Sequence, residues 1–212
     1  QQMNAYFAQL LEERKKHPRD DLVSTMSHAS EDGERLTEGE IIRTCGAILI
    51  AGHETTTNLI ASGVWRLLLA SDIKRQLAAD PSLYPAAIEE ILRLETPFQS
   101  IPRTVTEDLL LRDRMLRQGD LVYAMLGAGN RDPAQFDRPD ELDLMRGQAK
   151  HLAFGYGIHF CLGAALARLE GPIAIRALFD RFSRLALPSD RPRTWKRSMV
   201  QRGMESFWVR LN

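Results

Sequence analysis

A cysteine among glycines is the feature of this sequence best suited to chemistry: Phe154-Gly155-Tyr156-Gly157-Ile158-His159-Phe160-Cys161-Leu162-Gly163. Glycine permits backbone angles and close approaches that a side chain blocks. A helical pattern of alanines and leucines, residues 162–182, follows at once. A thiol at a helix entrance meets the positive end of the helix dipole and free N–H donors, which lower its pKa and suit a permanently ionised metal ligand. Two other uses stand beside that one. A lone free cysteine is commonly a small buried hydrophobe. A nucleophile would need a base, and His159, two residues away, is poorly placed to face the same sulfur from a turn.

Three further groups have spacings that matter. Ala51-Gly52-His53-Glu54-Thr55 falls in the middle of an apolar run, residues 41–70. A carboxylate and a hydroxyl inside a buried helix cost free energy unless partnered, and Thr55 can bond the carbonyl of residue 51 and open the helical ladder to water. The plainer reading turns Glu54 toward a wet seam and leaves Thr55 to satisfy itself. Glu90 and Arg93 form an i,i+3 pair, which alone is an ordinary exposed ion pair worth a few tenths of a kcal/mol. Arg103, after Pro102, opens a strand-like stretch, where an arginine is commonly a surface charge.

The elements that must hold these residues can be read from periodicity and punctuation. A helical stripe over residues 3–16 ends before His17-Pro18, because the residue ahead of proline disfavours helical angles. A short helix is expected over 21–27 and a turn at 30–33. Thr37-Glu38-Gly39-Glu40 has the form of a capping box and starts a long helix to about residue 71, apolar on most sides and so expected to be enclosed. A short helix ends near residue 79, and another covers 84–94, before Thr96-Pro97. Short strands follow at 103–105, 109–111 and 121–125, then a long loop over 127–150 and a closing hairpin region over 185–212. The fold class expected is mainly α with a small β-sheet region, an α+β arrangement in one partial domain.

Composition narrows the partners. Twenty-eight Lys and Arg balance 28 Asp and Glu, so nothing favours a polyanion such as nucleic acid. The start lacks the pattern of a signal peptide, and Arg43, His53, Glu54 and Arg66 interrupt the apolar run before a membrane span accumulates. Cys45 and Cys161 lack the spacing of a disulfide framework or a zinc site, which points to a reducing compartment, the cytoplasm. Cys45, in an apolar helical run, is expected to be packed.

The ten residues 154–163 match at every position the haem-ligand loop of the cytochrome P-450 family, Phe-Gly-x-Gly-x-His-x-Cys-x-Gly, and the chain resembles the carboxy-terminal half of a bacterial member of that family. The resemblance implies haem b as cofactor and Cys161 as axial thiolate, a ligand type that pushes electron density onto iron and favours O–O cleavage. It implies that His159 and Arg103 contact the haem propionates, that Phe154 packs beside the sulfur, that Gly155 and Gly163 shape the cofactor cradle, and that Ala51 leaves room for dioxygen. Glu54 and Thr55 resemble the family's acid–alcohol pair for proton delivery. Glu90 and Arg93 resemble its buried Glu-x-x-Arg pair, to be completed by His151 or by Arg138 in the preceding loop, with His151 preferred. The implied activity is that of a monooxygenase, inserting one oxygen atom into a small apolar substrate with electrons from a ferredoxin or flavodoxin type donor or a fused reductase. Arg168 and Arg176, one and two turns beyond the loop, are candidates for donor docking. The family's amino-terminal half lies outside these residues, so the alternative is a truncated, non-catalytic haem-fold module acting through haem or protein binding, and that half or a second copy is a candidate partner.

Overall fold

Helix α1 (Gln2–Lys16) stops where His17-Pro18 forbids another helical residue. In the computed structural model, residues 2–147 and 150–211 are described. The chain divides into two compact units, Gln1–Glu54 and Thr55–Asn212.

The first unit continues with α2 (Leu22–His28), whose N-cap Asp21 accepts from the Ser24 N–H at 2.8 Å. Strands β1 (Ser30–Glu31) and β2 (Glu34–Arg35) pair antiparallel around Asp32 and Gly33, both at positive φ (51° and 86°). An Asp-Gly pair with left-handed angles is the preferred two-residue hairpin turn, so the expected turn at 30–33 is the tip of a small hairpin. The capping box forms as read: the Thr37 N–H donates to Glu40 Oε2 at 2.7 Å, and the Glu40 N–H to Thr37 Oγ1 at 3.3 Å. Helix α3 (Glu38–Leu69) starts there. Ile41 and Cys45 on α3 join Leu11, Val23 and Met26 in this unit's core, and burial pushes the Cys45 thiol pKa up.

The expectation that α3 is enclosed does not hold along its length. Residues 47–53 are exposed, Ile48, Leu49 and Ile50 among them. Apolar composition requires cover for a helix but does not supply it.

In the second unit the rest of α3 is followed by α4 (Ser71–Ala79), a 3₁₀ turn (Pro81–Leu83) and α5 (Tyr84–Leu94). Strand β3 (Ile101–Thr104) will pair with β6 (Leu121–Ala124), and β4 (Leu109–Leu111) pairs with β5 (Arg114–Leu116), both antiparallel. The strand at 114–116 was not anticipated; the charges of Arg112-Asp113-Arg114 mask it. A short helix α6 (Leu126–Gly129) opens the long loop, α7 (Ala164–Arg181) follows the cysteine, and β7 (Thr194–Trp195) pairs with β8 (Met204–Ser206) in the closing hairpin.

The core of this unit is Leu59, Val64 and Leu67 of α3, Ile88, Ile91 and Leu92 of α5, and Ile175 and Phe179 of α7. A Cβ at Gly63 would stand 2.6 Å from Ile175 Cδ1. The missing side chain therefore lets α3 and α7 approach closely, and α7 is the helix that the cysteine loop enters. Among the described residues no helix is long and apolar enough to cross a membrane.

Candidate functional site

Two glycines in left-handed conformation, Gly155 and Gly157, each at φ 73°, fold the segment before Cys161 into a tight loop that a side chain would strain. Backbone bonds fix it. The Gly155 N–H donates to Leu152 O and the Cys161 N–H to Phe154 O, both at 2.9 Å, and the Ala164 N–H to Cys161 O at 3.2 Å at the start of α7. Phe154 lies buried beneath, 6.3 Å from the Phe160 ring.

The sulfur side is open. Cys161 is exposed, and so are the apolar side chains flanking it in sequence: Tyr156 at 88%, Ile158 at 98% and Leu162 at 90%. A Cβ at Gly163 would sit 3.9 Å from Cys161 Sγ, in ordinary van der Waals contact with the sulfur. His159 is exposed, as is Arg103, whose Nη1 donates to Pro102 O at 2.8 Å. Among the described residues no group of three or more His, Cys, Asp or Glu is arranged to hold a metal ion. A single thiol suits a metal that arrives with other donors of its own.

Under the loop lies a buried charge network. Arg93, fully buried, donates from Nε to Glu90 Oε1 at 2.7 Å and from Nη2 to Oε2 at 2.9 Å, a fork matched to a carboxylate. Its remaining N–H groups reach the carbonyls of Asn130 (3.0 Å), Pro139 (2.6 Å) and Glu141 (2.9 Å). Burial would raise the Glu90 pKa, but Arg93, the Asp143 N–H and Arg146 outweigh it and hold the carboxyl below its ordinary value. The expected Glu90–Arg93 pair is thus a clamp on the long loop.

Its third member is Arg146, with Nε 3.0 Å from Glu90 Oε2, in place of His151 or Arg138. Arg138 pairs with Asp137, Glu141 and Asp143. His151 belongs to a second network one residue away: its Nδ1 accepts from the Ala153 N–H at 3.2 Å, which leaves Nε2 to donate to Glu89 Oε2 at 3.1 Å. Arg168 grips the same carboxylate, Nε to Oε1 at 2.8 Å and Nη2 to Oε2 at 3.0 Å, and lies over the Phe154 ring at 4.6 Å. The other expected docking arginine, Arg176, pairs with Asp180.

Neither Glu89, Arg146 nor Arg168 was selected from the sequence for these networks. The Glu89-Glu90 doublet was a visible signal, because adjacent helix residues serve different partners.

The hydrogen bonds give Glu89 a pH signature. Burial alone would raise its pKa; bonds from His151 and Arg168 reverse that and hold it at about 2, below the ordinary 4.5. A depressed carboxylate contributes stability that is present above pH 4.5 and lost as pH falls toward about 2. Glu89→Gln is therefore expected to flatten the decline of the urea midpoint across that window; an unaltered profile would contradict the pairing.

A continuous path joins the first clamp to the cysteine. Arg93 holds Asn130 O, Asn130 Oδ1 accepts from the Leu152 N–H at 2.6 Å, Leu152 O accepts from Gly155, and Phe154 O accepts from Cys161. Glu54 and Thr55 are half-buried neighbours on α3, at the end of one unit and the start of the next. Ala51 and Gly52 are exposed, and a Cβ at Gly52 would meet nothing within 4 Å.

The Cytochrome P450 family model matches residues 81–205. Cytochrome P450 107B1 of Saccharopolyspora erythraea is 45% identical over 98% of this chain and 52% of its own length. Cytochrome P450 monooxygenase PikC of Streptomyces venezuelae is 41% identical over 99% of this chain and 51% of its own. Among solved structures, CYP109E1 from Bacillus megaterium in complex with testosterone superposes with a TM-score of 0.96 at 36% identity, covering all of this chain and 59% of that one. The chain spans about half the length of the curated relatives it matches. With the family model covering the clamp helix, the long loop and the cysteine loop together, the chain belongs to the cytochrome P450 family.

Proposed function

We propose that these residues form the thiolate side of a haem-dependent monooxygenase. Haem b is the family's cofactor. The observation that carries the reading is the exposed Cys161 flanked by exposed Tyr156, Ile158 and Leu162 on a loop fixed from below. Exposed apolar side chains beside a potential metal ligand fit a flat organic ring with a metal at its centre, which would cover both. When bound, haem supplies the redox-active iron that activates dioxygen.

The chain's own residues have separable tasks. Cys161 supplies the ligating thiolate, and Gly155 and Gly163 let the group approach. Phe154 supports the loop beneath the sulfur. His159 and Arg103, both exposed donors, bind the carboxylates at the edge of the group, a role suited to the planar donor fork of arginine. Glu54 and Thr55 move protons, the acid as source and the hydroxyl as relay, and the open space beside Gly52 admits a small molecule. Glu90 and Arg93, with Arg146, position the loop and take no part in chemistry.

The substrate class is a small organic molecule with an apolar face. The electron source is a ferredoxin or flavodoxin type donor or a fused reductase. Two free cysteines fit a reducing compartment, and the cytoplasm is the proposed location. No observation among the described residues favours a non-catalytic module.

The test supplies testosterone, the ligand named with CYP109E1, as probe together with a ferredoxin–reductase pair under ¹⁸O-labelled dioxygen. One labelled oxygen atom per hydroxylated product, with the second recovered in water, is expected. Product carrying oxygen from water would contradict the reading; if testosterone is left intact, corticosterone and hexadec-9Z-enoic acid, named with other similar structures, are scored the same way.

A further inference from the structure

Arg168 is a candidate for donor docking, and its guanidinium, 43% exposed, is engaged by Glu89. Both its Nε and Nη2 bond Glu89, and its plane lies 4.6 Å from the Phe154 ring. Glu89 Oε2, which Arg168 Nη2 also reaches, accepts from His151, whose ring stands 5.8 Å from the same Phe154. Phe154 in turn supplies the carbonyl that accepts the Cys161 N–H. The basicity of Arg168 is raised by its bond to Glu89, against the opposing effect of burial. The guanidinium thus packs on the residue whose carbonyl accepts the Cys161 N–H, beside the loop that carries the sulfur.

We infer that Glu89, Arg168 and His151 form a charged positioning unit that holds the Phe154–Cys161 loop closed and sets the electrical potential at the Cys161 sulfur. The inference rests on the haem-thiolate reading for its second half only. Arg168 is a positioning residue, since it acts on the reacting centre through Phe154 and through its field.

The two charges make a packing role and an electrical role separable. A cation near a thiolate-ligated centre favours the reduced, more negative state, and an anion disfavours it. Arg168→Gln should therefore lower the midpoint reduction potential of the haem-loaded protein and Glu89→Gln should raise it. A change of about tenfold in the reduction equilibrium, about 59 mV for one electron, is expected in each direction. Arg168→Lys, which keeps the charge and loses the fork, should retain most of the potential.

The positioning half is read without haem. Hydrogen exchange at the Cys161 amide, in chain shown by circular dichroism to be folded, should accelerate about tenfold in both Arg168→Gln and Glu89→Gln. Amide exchange unchanged in both variants would overturn the positioning role. Potentials that shift in the same direction, or that stay fixed while reduction by the donor protein slows, would overturn the electrical role and leave Arg168 as a docking charge. Failure of the wild-type chain to bind haem would sink the proposed function, and the amide exchange would still decide the positioning unit.

Discussion

Replacing Arg93 by alanine is expected to cost about 3–5 kcal/mol of folding stability, the range for stranding one partner of a buried ion pair. The site makes the upper part of that range reasonable. Arg93 is fully buried and makes five hydrogen bonds, two to Glu90 and three to the carbonyls of Asn130, Pro139 and Glu141. Its loss leaves the Glu90 carboxylate with Arg146 and the Asp143 N–H, and leaves the three carbonyls without this donor. Arg93→Lys should recover only part of the loss, because an ammonium cannot span a carboxylate and three carbonyls as a fork does. Urea unfolding of the two variants measures both effects; equal stability of Arg93→Ala and wild type would refute the clamp. The same variant should loosen the cysteine loop, since the Asn130–Leu152–Gly155 path starts at Arg93.

The second large effect follows from the proposed proton relay and is read in turnover. Thr55→Val keeps the side-chain shape and replaces the hydroxyl by a methyl, so under the proposed relay its effect reports proton handling and leaves packing almost intact. Product formation is expected to fall about 10²–10⁴-fold, the contribution of a positioned proton donor, while dioxygen consumption falls much less. Thr55→Ser should restore most of the yield. Product formed per dioxygen consumed is the measured ratio, and an unchanged ratio in Thr55→Val would remove the relay from the account. Glu54→Gln is expected to act in the same direction, because an amide cannot donate and regain a proton at neutral pH.

Local features were legible in the sequence where local physics decides them. The bounds of α5 follow from its periodicity and the Thr96-Pro97 stop, and the start of α3 from the Thr37–Glu40 box. The Asp32-Gly33 hairpin was also readable, since that dipeptide is itself a hairpin signal, but two-residue strands offer no alternation to detect. The cysteine loop was legible through its match to the family's ten-residue pattern, in which Gly155 and Gly157 take the left-handed angles that glycine permits.

What the sequence hides is partner choice over distance. Glu90 selects Arg146, 56 positions away, through a loop with no periodicity, where the family resemblance had pointed to His151 ahead of Arg138. The exposure of Ile48, Leu49 and Ile50 was hidden for a related reason: hydropathy reports a need for cover and says nothing about what provides it. The pairing of Arg168, a docking candidate in the sequence, with Glu89 was hidden because that acceptor precedes it by 79 positions.

Cys161 as the haem ligand is the claim on which the rest depends. The direct measurement is the absorbance spectrum of the haem-loaded, reduced protein under carbon monoxide, wild type beside Cys161→Ser. Thiolate ligation predicts a Soret band at the long-wavelength thiolate position in the wild type and its loss in the variant; a band that survives Cys161→Ser unchanged would contradict it.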